Sequence, residues 1–345
     1  MATMPGLSGI VGPVSSSAAN HVQNMASQMH IPHLETRFDY NTEMPAFSLN
    51  VHPHPSMMGR AYADLIKTLG WKSLAILFQN EASLVNLQEV LKLPKHFDDI
   101  KITLRQLDLV TDDYRPLLKE LKKSGETRIV LDCDFEKVQE ILRQADEIGL
   151  VNDYFAYLIT SLDVERLELA PYKYNNVNIT GFRIVDTSNP DVSEYVKSWS
   201  STFGHGRGKA HPLYSSNALI VDAVALYATA MNDLGNVETI QTEQINCRQG
   251  APWSGGETFL RYLKGVEFSG LTGEIVFDEN GHRSNFKLDL IEKSRDNMAK
   301  TGTWTPEMGV NYTRTADEGD SIIVEQLQNK TLIVTTALVR SHLLF

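Results

Sequence analysis

Short apolar runs alternate with longer amphipathic stretches along much of the first half of the chain. The apolar runs predict buried strands, and the amphipathic stretches between them predict helices. Strands are predicted at residues 73–78, 102–107, 128–131, 155–160 and 178–185, and helices at 56–69, 82–93, 114–123 and 135–148. Strands that alternate with helices of this length form parallel sheets with helices on their faces.

The segment before this region begins with a strand and a helix. Ser8-Gly-Ile-Val-Gly-Pro13 predicts a short buried strand that ends in a Gly-Pro turn. The serines at positions 15 to 17 then predict the start of a helix over residues 18–28. Extended segments are predicted at 31–35 and 46–51.

The pattern changes after Pro190. Helices are predicted at 191–203, 217–234 and 257–266, with few strands between them. Alternating runs at 272–278 and 285–292 then flank Glu279-Asn-Gly-His282. Because an Asn-Gly turn between alternating runs is typical of a hairpin, we expect one here. The whole pattern predicts two α/β lobes, with a hairpin closing the second.

The length of the chain agrees with two lobes, and its charge limits the classes of binding partner. The chain has 345 residues, and domains commonly contain about 100–200. A net charge of −11 argues against nucleic acid or an anionic lipid surface as the main partner. The most apolar tract, residues 218–230, is interrupted by Asp222 and is too short for a membrane span. The first residues do not form a secretory signal.

The sequence contains no motif that supports an enzyme or a cofactor site. Nucleophile-elbow, phosphate-loop and zinc-protease motifs are all missing from it. No metal site is predicted, and His52-Pro-His54 is interpreted as surface loop. Cys133 follows a strand-like run and predicts a buried free thiol, whereas Cys247 lies in a polar loop and is a disulfide candidate.

Ser15, Ser16 and Ser17 are the one ligand-like feature. They follow a predicted strand and begin a helix, the place where open α/β sheets bind ligands and where helix N-termini attract anions. An α-carboxylate could bind to their hydroxyl and amide groups. The alternative interpretation is simple capping of the helix.

Three sequons mark possible glycosylation sites, at Asn178, Asn311 and Asn329. Each fits the Asn-x-Ser/Thr pattern. Their number is about what chance gives for this composition, and Asn178 falls within a predicted strand. The sequons alone therefore do not establish that the chain is secreted.

Dispersed segments between about Gly9 and Thr336 occur in the order found in one known family. They are Pro53-His-Pro-Ser56, Arg60-Ala-Tyr-Ala-Asp64, Gly70-Trp-Lys-Ser73, Asp112-Asp-Tyr-Arg-Pro-Leu-Leu-Lys119, Lys123-Ser-Gly125, Arg128-Ile-Val-Leu-Asp-Cys133, Asn178-Ile-Thr-Gly-Phe-Arg183, Gly270-Leu-Thr-Gly273, Gly302-Thr-Trp304 and Gln328-Asn-Lys-Thr331. Together they resemble the amino-terminal domain of kainate-type ionotropic glutamate receptors, the invertebrate group in particular.

This resemblance implies a type I clamshell fold like that of the bacterial leucine/isoleucine/valine-binding proteins. Lobe one would comprise residues 1–54 and 186–268, lobe two 55–185 and 269–330, and residues 331–345 the start of a linker and a divergent tail. In the family this domain lies outside the postsynaptic membrane and pairs receptor subunits into dimers within a tetramer. Glutamate opens the channel from a separate downstream domain, so a small-molecule ligand in this cleft is not expected.

The chain departs from the family pattern in three ways. The family's domain begins earlier, so we expect lobe one to lack its first strand–helix units. The family cysteine that matches Cys247 pairs with one in that earlier region, so Cys247 is expected to be unpaired. After Thr336 the sequence diverges from the family.

The resemblance places the dimer contacts on helices of both lobes. In the helix after Ser17, the residues Val22, Met25, Ala26 and Met29 form one apolar stripe, and Ala18 and Ala19 would allow a partner to approach closely. The alternative is that this stripe faces the lobe-one sheet. The helix at 135–148 offers a second surface. A rival function is a soluble amino-acid-binding protein that uses Ser15–Ser17.

Overall fold

A computed structural model describes residues 7–41, 43–97, 99–108, 110–203, 213–239, 252–295 and 297–313. The strands in these ranges are β1 (Ile10–Val11), β2 (His33–Glu35), β3 (Ser48–Pro53), β4 (Ser73–Phe78), β5 (Lys101–Gln106), β6 (Arg128–Asp132), β7 (Ala156–Ile159), β8 (Asn178–Arg183), β9 (Phe268–Gly270), β10 (Gly273–Ile275), β11 (His282–Arg283), β12 (Leu288–Lys293), β13 (Met298–Thr305) and β14 (Gly309–Tyr312). The helices are α1 (Ser16–Met29), α2 (Pro55–Thr68), α3 (Glu81–Asn86), α4 (Gln88–Leu91), α5 (Leu93–His96), α6 (Arg115–Ser124), α7 (Phe135–Glu147), α8 (Pro190–Phe203), α9 (Ser215–Val237) and α10 (Gly256–Gly265).

The larger sheet has the strand order β14-β13-β12-β8-β7-β6-β4-β5. Strands β8, β7, β6, β4 and β5 run parallel, and β12, β13 and β14 are antiparallel. Leu74 and Ile76 pack toward α2 on one face, while Leu77 and Ile129 pack toward α6 and α7 on the other. Because both faces are covered there, the central strands β4, β6 and β7 consist mostly of apolar residues. The predicted strand–helix alternation and parallel sheet are confirmed.

The smaller sheet is parallel throughout, in the order β1-β2-β3-β11. Its core joins Leu34, Leu49 and Val51 to Leu226 of α9 and Phe259 of α10. The β2 and β3 strands also contact α1. The carboxyl ends of these strands therefore lie near the start of α1 and the crossing to the larger sheet.

Helix α9 is the only helix in the described ranges that is long and apolar enough to cross a membrane by length and composition. It extends beyond the predicted 217–234. Its buried Asp222 accepts hydrogen bonds from the Leu271 amide at 2.7 Å and from the Thr272 amide at 2.8 Å. Since one face of α9 also packs on β1, β3 and β9, the helix is a core element of this fold.

The predicted single helix at 82–93 is wrong, because the structure divides it into α3, α4 and α5. Asn80 caps α3 through a reciprocal pair of hydrogen bonds with Ser83. The pieces pack against α2 at Gly59, where a Cβ atom would lie 2.8 Å from the Asn86 carbonyl oxygen. A straight helix would not follow α2 this closely.

The predicted hairpin around Glu279-Asn-Gly-His282 forms only as a short antiparallel bridge of Phe277 with Arg283, and its predicted second arm at 285–292 lies elsewhere. Gly281 adopts φ of +85° and donates a hydrogen bond to the Asp278 carbonyl. Beyond the short β11, strand β12 pairs with β8 and β13 in the larger sheet. Its Leu288, Leu290 and Ile291 become fully buried there, which favours that pairing over the short β10.

Core contacts suggest a division of lobes that differs from the one drawn from sequence. Val192 of α8 packs in the core of the larger sheet, whereas β11 joins the smaller sheet. We therefore propose that residues 7–53, 215–239 and 252–283 belong to lobe one. Residues 55–203 and 284–313 would then form lobe two.

Candidate functional site

Ser15–Ser17 lie at the start of α1, beyond the end of β1, as the sequence predicts. All three are exposed, and the Ser15 and Ser17 hydroxyls hydrogen-bond each other at 2.9 Å. Ser15 occupies the N-cap position, yet its side chain makes no capping hydrogen bond. Ser15 therefore caps α1 through its backbone and not through its hydroxyl group. A ligand role for the three serines stays a prediction.

Behind α1 lies a buried ionic cluster that the sequence analysis missed. The Arg37 Nη2 atom is 3.2 Å from Glu35 Oε2 and 3.2 Å from Asp39 Oδ2, and Gln23 of α1 donates to Glu35. Burial raises the pKa of Glu35. The sequence does contain a signal for this cluster, because charged residues occupy alternate positions in Glu35-Thr-Arg-Phe-Asp39, at the end of β2 and just after it. The cluster fixes α1 to the end of β2.

A second polar cluster lies at the carboxyl ends of β6 and β7 in the larger sheet. The Thr160 hydroxyl donates to Asp132 Oδ1 at 2.7 Å, and the Asn86 amide lies 3.4 Å from Asp132 Oδ2. The Tyr62 hydroxyl donates to the Thr160 carbonyl at 2.7 Å. Burial raises the pKa of Asp132 to about 6. Open α/β sheets bind ligands at this edge.

At the same edge of the larger sheet, the carboxylate of Asp163 connects the sheet to α9. Asp163 accepts hydrogen bonds from the Ser215 amide at 2.7 Å and from its hydroxyl at 3.0 Å, at the start of α9. The Arg166 guanidinium lies 3.3 Å from the centre of the Tyr214 ring. Asp163 is thus paired with Ser215, whereas the buried Nε and Nη1 atoms of Arg166 have no hydrogen-bond partner among the described residues. None of these groups is a nucleophile beside a general base. In the described part of the chain, no set of three or more His, Cys, Asp or Glu side chains is placed to hold a metal ion.

The sequons occupy different environments. Asn311 is exposed on β14, which forms one edge of the larger sheet. Asn178 is exposed at the start of β8, inside the sheet, and its Oδ1 accepts a hydrogen bond from the buried Thr180 at 2.8 Å. Asn329 lies outside the described residues. Asn311 is therefore the more accessible of the two described sites.

The cysteines fall in two categories. Cys133 is a free, half-buried thiol, and burial together with the neighbouring Asp132 raises its pKa to about 12. A thiol with so high a pKa is a poor nucleophile near neutral pH. Cys247 lies outside the described residues, so its pairing stays a prediction.

Helix α1 divides its small and apolar residues between two faces. Ala19, Gln23 and Ala26 are buried against the smaller sheet. Ala18, Val22, Met25 and Met29 form a neighbouring stripe, which we call the α1 stripe, and Met25 is 59% exposed. Ala26 thus faces the sheet, as the alternative interpretation expected for the stripe. Ala19, which was expected to allow a partner to approach, is fully buried as well.

The α7 surface is polar where it faces outward. Arg143 forms ion pairs with Glu140 and Glu147 on the same helix. The hydrogen bonds from Arg143 lower the pKa of Glu140 to about 2. Exposed pairs of this kind contribute little to stability, and they make α7 a charged surface.

Comparison with known proteins places this fold in a family. The receptor family ligand-binding region matches residues 1–296 of the chain, so the chain belongs to that family. The periplasmic-binding-protein-like fold predicted from sequence is thereby confirmed.

Two relatives make the assignment more specific. The mouse (Mus musculus) glutamate receptor ionotropic, kainate 1, is 32% identical over an alignment of 353 residues that covers 99% of this chain and 41% of the relative. Its Homo sapiens counterpart is 32% identical over an alignment of 368 residues that covers 99% of this chain and 39% of the relative. The chain thus spans about two-fifths of the length of these relatives. The resemblance to the amino-terminal domain of kainate-type receptors is confirmed, and the relatives are named as receptors rather than enzymes.

Proposed function

We propose that this chain is the extracellular amino-terminal domain of a kainate-type glutamate receptor subunit and that it mediates subunit association. Its partners would be the same domains of other kainate-type subunits, paired as dimers within a tetrameric channel. The kainate relatives and the receptor-family match support the receptor class. Glutamate gating would belong to a different part of such a subunit.

The observation that carries the proposal is the α1 stripe. Met25 is a large apolar side chain exposed at its centre, and the small Ala18 beside the helix start leaves room for a partner backbone. Methionine is favoured at the centres of protein interfaces. A standard interface buries about 1,600 Å² in total, so this stripe would form only part of it.

The charged α7 surface supports a different role for the second lobe. Since Arg143 is already paired with Glu140 and Glu147, α7 would contribute orientation rather than apolar contact. The proposed apolar contact between subunits is therefore assigned to α1.

A soluble amino-acid-binding protein is the second candidate. Ser15–Ser17 are exposed at a helix N-terminus and could accept a carboxylate. Against this, the Asp163 carboxylate at the carboxyl edge of the larger sheet is already paired with Ser215 at the start of α9. Calorimetry with amino acids separates the two candidates.

Sedimentation equilibrium of the chain tests the association. We expect a reversible monomer–dimer equilibrium that Met25→Lys weakens by about thirtyfold, the equivalent of about 2 kcal/mol for a charge placed in an apolar contact. Asn20→Lys is the matched control, because it adds the same charge on the exposed opposite side of α1. A chain that stays monomeric at high concentration, or equal dimerisation of both variants, would contradict the proposal.

A further inference from the structure

Two histidines meet where the chain passes between the two sheets. His54 directly follows β3 and is the N-cap residue of α2. His282 lies in β11, which pairs with β3. Their ring centroids are 4.4 Å apart and their planes are inclined at 70°.

Each ring has one nitrogen atom without a partner. The Nε2 atoms of His54 and His282 are both buried and make no hydrogen bond. Leaving a buried polar group unpaired costs about 1–3 kcal/mol, so two such atoms in neighbouring rings indicate a ligand that supplies the missing interactions.

The other nitrogen atom of each ring lies near an oxygen atom. His54 Nδ1 lies 2.7 Å from Ser56 Oγ and accepts a hydrogen bond from the Ser56 amide at 3.3 Å, and His282 Nδ1 lies 3.8 Å from Asp278 Oδ2. Metal-binding histidines commonly have this arrangement, in which the second nitrogen faces an oxygen that fixes the ring and its tautomer. Binding of an ion at Nε2 of His54 would move the ring proton to Nδ1, which would then donate to Ser56 Oγ and no longer accept from the Ser56 amide.

We propose that His54 and His282 bind one divalent transition-metal ion through their Nε2 atoms, with water completing its coordination. Imidazole ligands suit copper, nickel and zinc, and among these Cu²⁺ binds most tightly. With metal–nitrogen bonds of about 2.0–2.1 Å, two rings at a right angle about one ion have centroids about 4.5 Å apart. A tetrahedral angle between the two metal–nitrogen bonds would place the ring centroids about 5.2 Å apart.

The centroid separation of 4.4 Å in the structure is close to the value for the right angle. Right angles between ligands are found in the square-planar and octahedral sites of Cu²⁺ and Ni²⁺.

The site lies where the chain crosses between the two sheets, so a bound ion would affect how the sheets are connected. His54 stands at the crossing from the smaller sheet to α2, and His282 stands just before the chain returns to β12. An ion bound to both rings would join these two crossings. Metal binding is thus expected to stabilise the folded chain and to restrict movement of one sheet relative to the other.

Calorimetric titration of the full chain with Cu²⁺ tests the site. We expect His54→Gln and His282→Gln each to weaken binding at least tenfold. His96→Gln is the matched control, since His96 is an exposed histidine on α5, and it should leave the affinity unchanged. Cu²⁺ should also raise the melting temperature of the wild type and of the control, but not of the other two variants.

A spectroscopic measurement on the wild type guards against variants that fail to fold. The electron paramagnetic resonance spectrum of the chain with one equivalent of Cu²⁺ should show splitting from two imidazole nitrogens. A spectrum with one nitrogen or none, or equal Cu²⁺ affinity of wild type and a folded His282→Gln variant, would overturn the proposal.

Discussion

The buried carboxyl group of Asp132 gives the most quantitative prediction. Burial raises its pKa to about 6 from the ordinary value of 3.8, and the bonds from Thr160 and Asn86 only partly offset this. The folded chain therefore binds a proton at a higher pH than the unfolded chain does. Its stability should rise as pH falls through 6, and the Asp132→Asn variant, which cannot titrate there, should lack this gain.

The size of the effect follows from the two pKa values. Between about pH 7.5 and about pH 5, linkage gives the wild type about 1 kcal/mol from this one group. Urea unfolding of both proteins at the two pH values yields their free energies of unfolding. The stability of Asp132→Asn relative to wild type should thus fall by about 1 kcal/mol on acidification.

A matched control isolates the buried group from general charge effects. Asp233→Asn removes an exposed carboxylate on α9, and its stability relative to wild type should change little over the same interval. If the Asp132→Asn difference were constant with pH, or moved in the opposite direction, the assignment of a proton to buried Asp132 would be refuted.

Three further predictions concern the remaining sites. Isothermal calorimetry should detect no L-glutamate binding tighter than about 1 mM, or about −4 kcal/mol; a micromolar dissociation constant would instead favour the amino-acid-binding candidate. Cys133, whose pKa is raised to about 12, should react with iodoacetamide in the native chain far more slowly than in urea, as followed by mass spectrometry, and equal rates would contradict its burial. When the chain is expressed through a secretory pathway, peptide mass spectrometry should find higher glycan occupancy at Asn311 than at Asn178, because β14 is an edge strand; the reverse order would contradict the accessibility argument.

The local periodicity of the sequence was sufficient to predict the strands and helices in the central part of the fold. The strand predicted at 73–78 has the same bounds in the structure, and the helix predicted at 135–148 is one residue longer than α7. These elements are buried on one or both faces by neighbours close in sequence. Pattern and turn signals therefore determine them.

Features that depend on competition between distant segments were not predictable. The turn at Gly281 was recognised, but nothing local to it shows that β12 gains more burial beside β8 than beside β10. Strands β13 and β14 were missed because Trp304 is their one fully buried large side chain and their pattern is weakly apolar.

The candidate sites were predicted less well than the fold for the same reason. Asp132 and Thr160 come together only because β6 and β7 are adjacent, and His54 meets His282 only through the pairing of β3 with β11. On α1, spacing identified an apolar helix, but its geometry relative to the sheet decides that Ala26 faces inward and Met25 outward.

Oxidative footprinting of Met25 at increasing protein concentration tests the proposed association most directly. Met25 is 59% exposed and Met308, a methionine remote from α1 in sequence, is 68% exposed, so the two should be oxidised at similar rates in the monomer. The account predicts that oxidation of Met25 slows severalfold as dimers form while that of Met308 stays constant. Dimerisation, shown by sedimentation, that left Met25 as reactive as Met308 would contradict it.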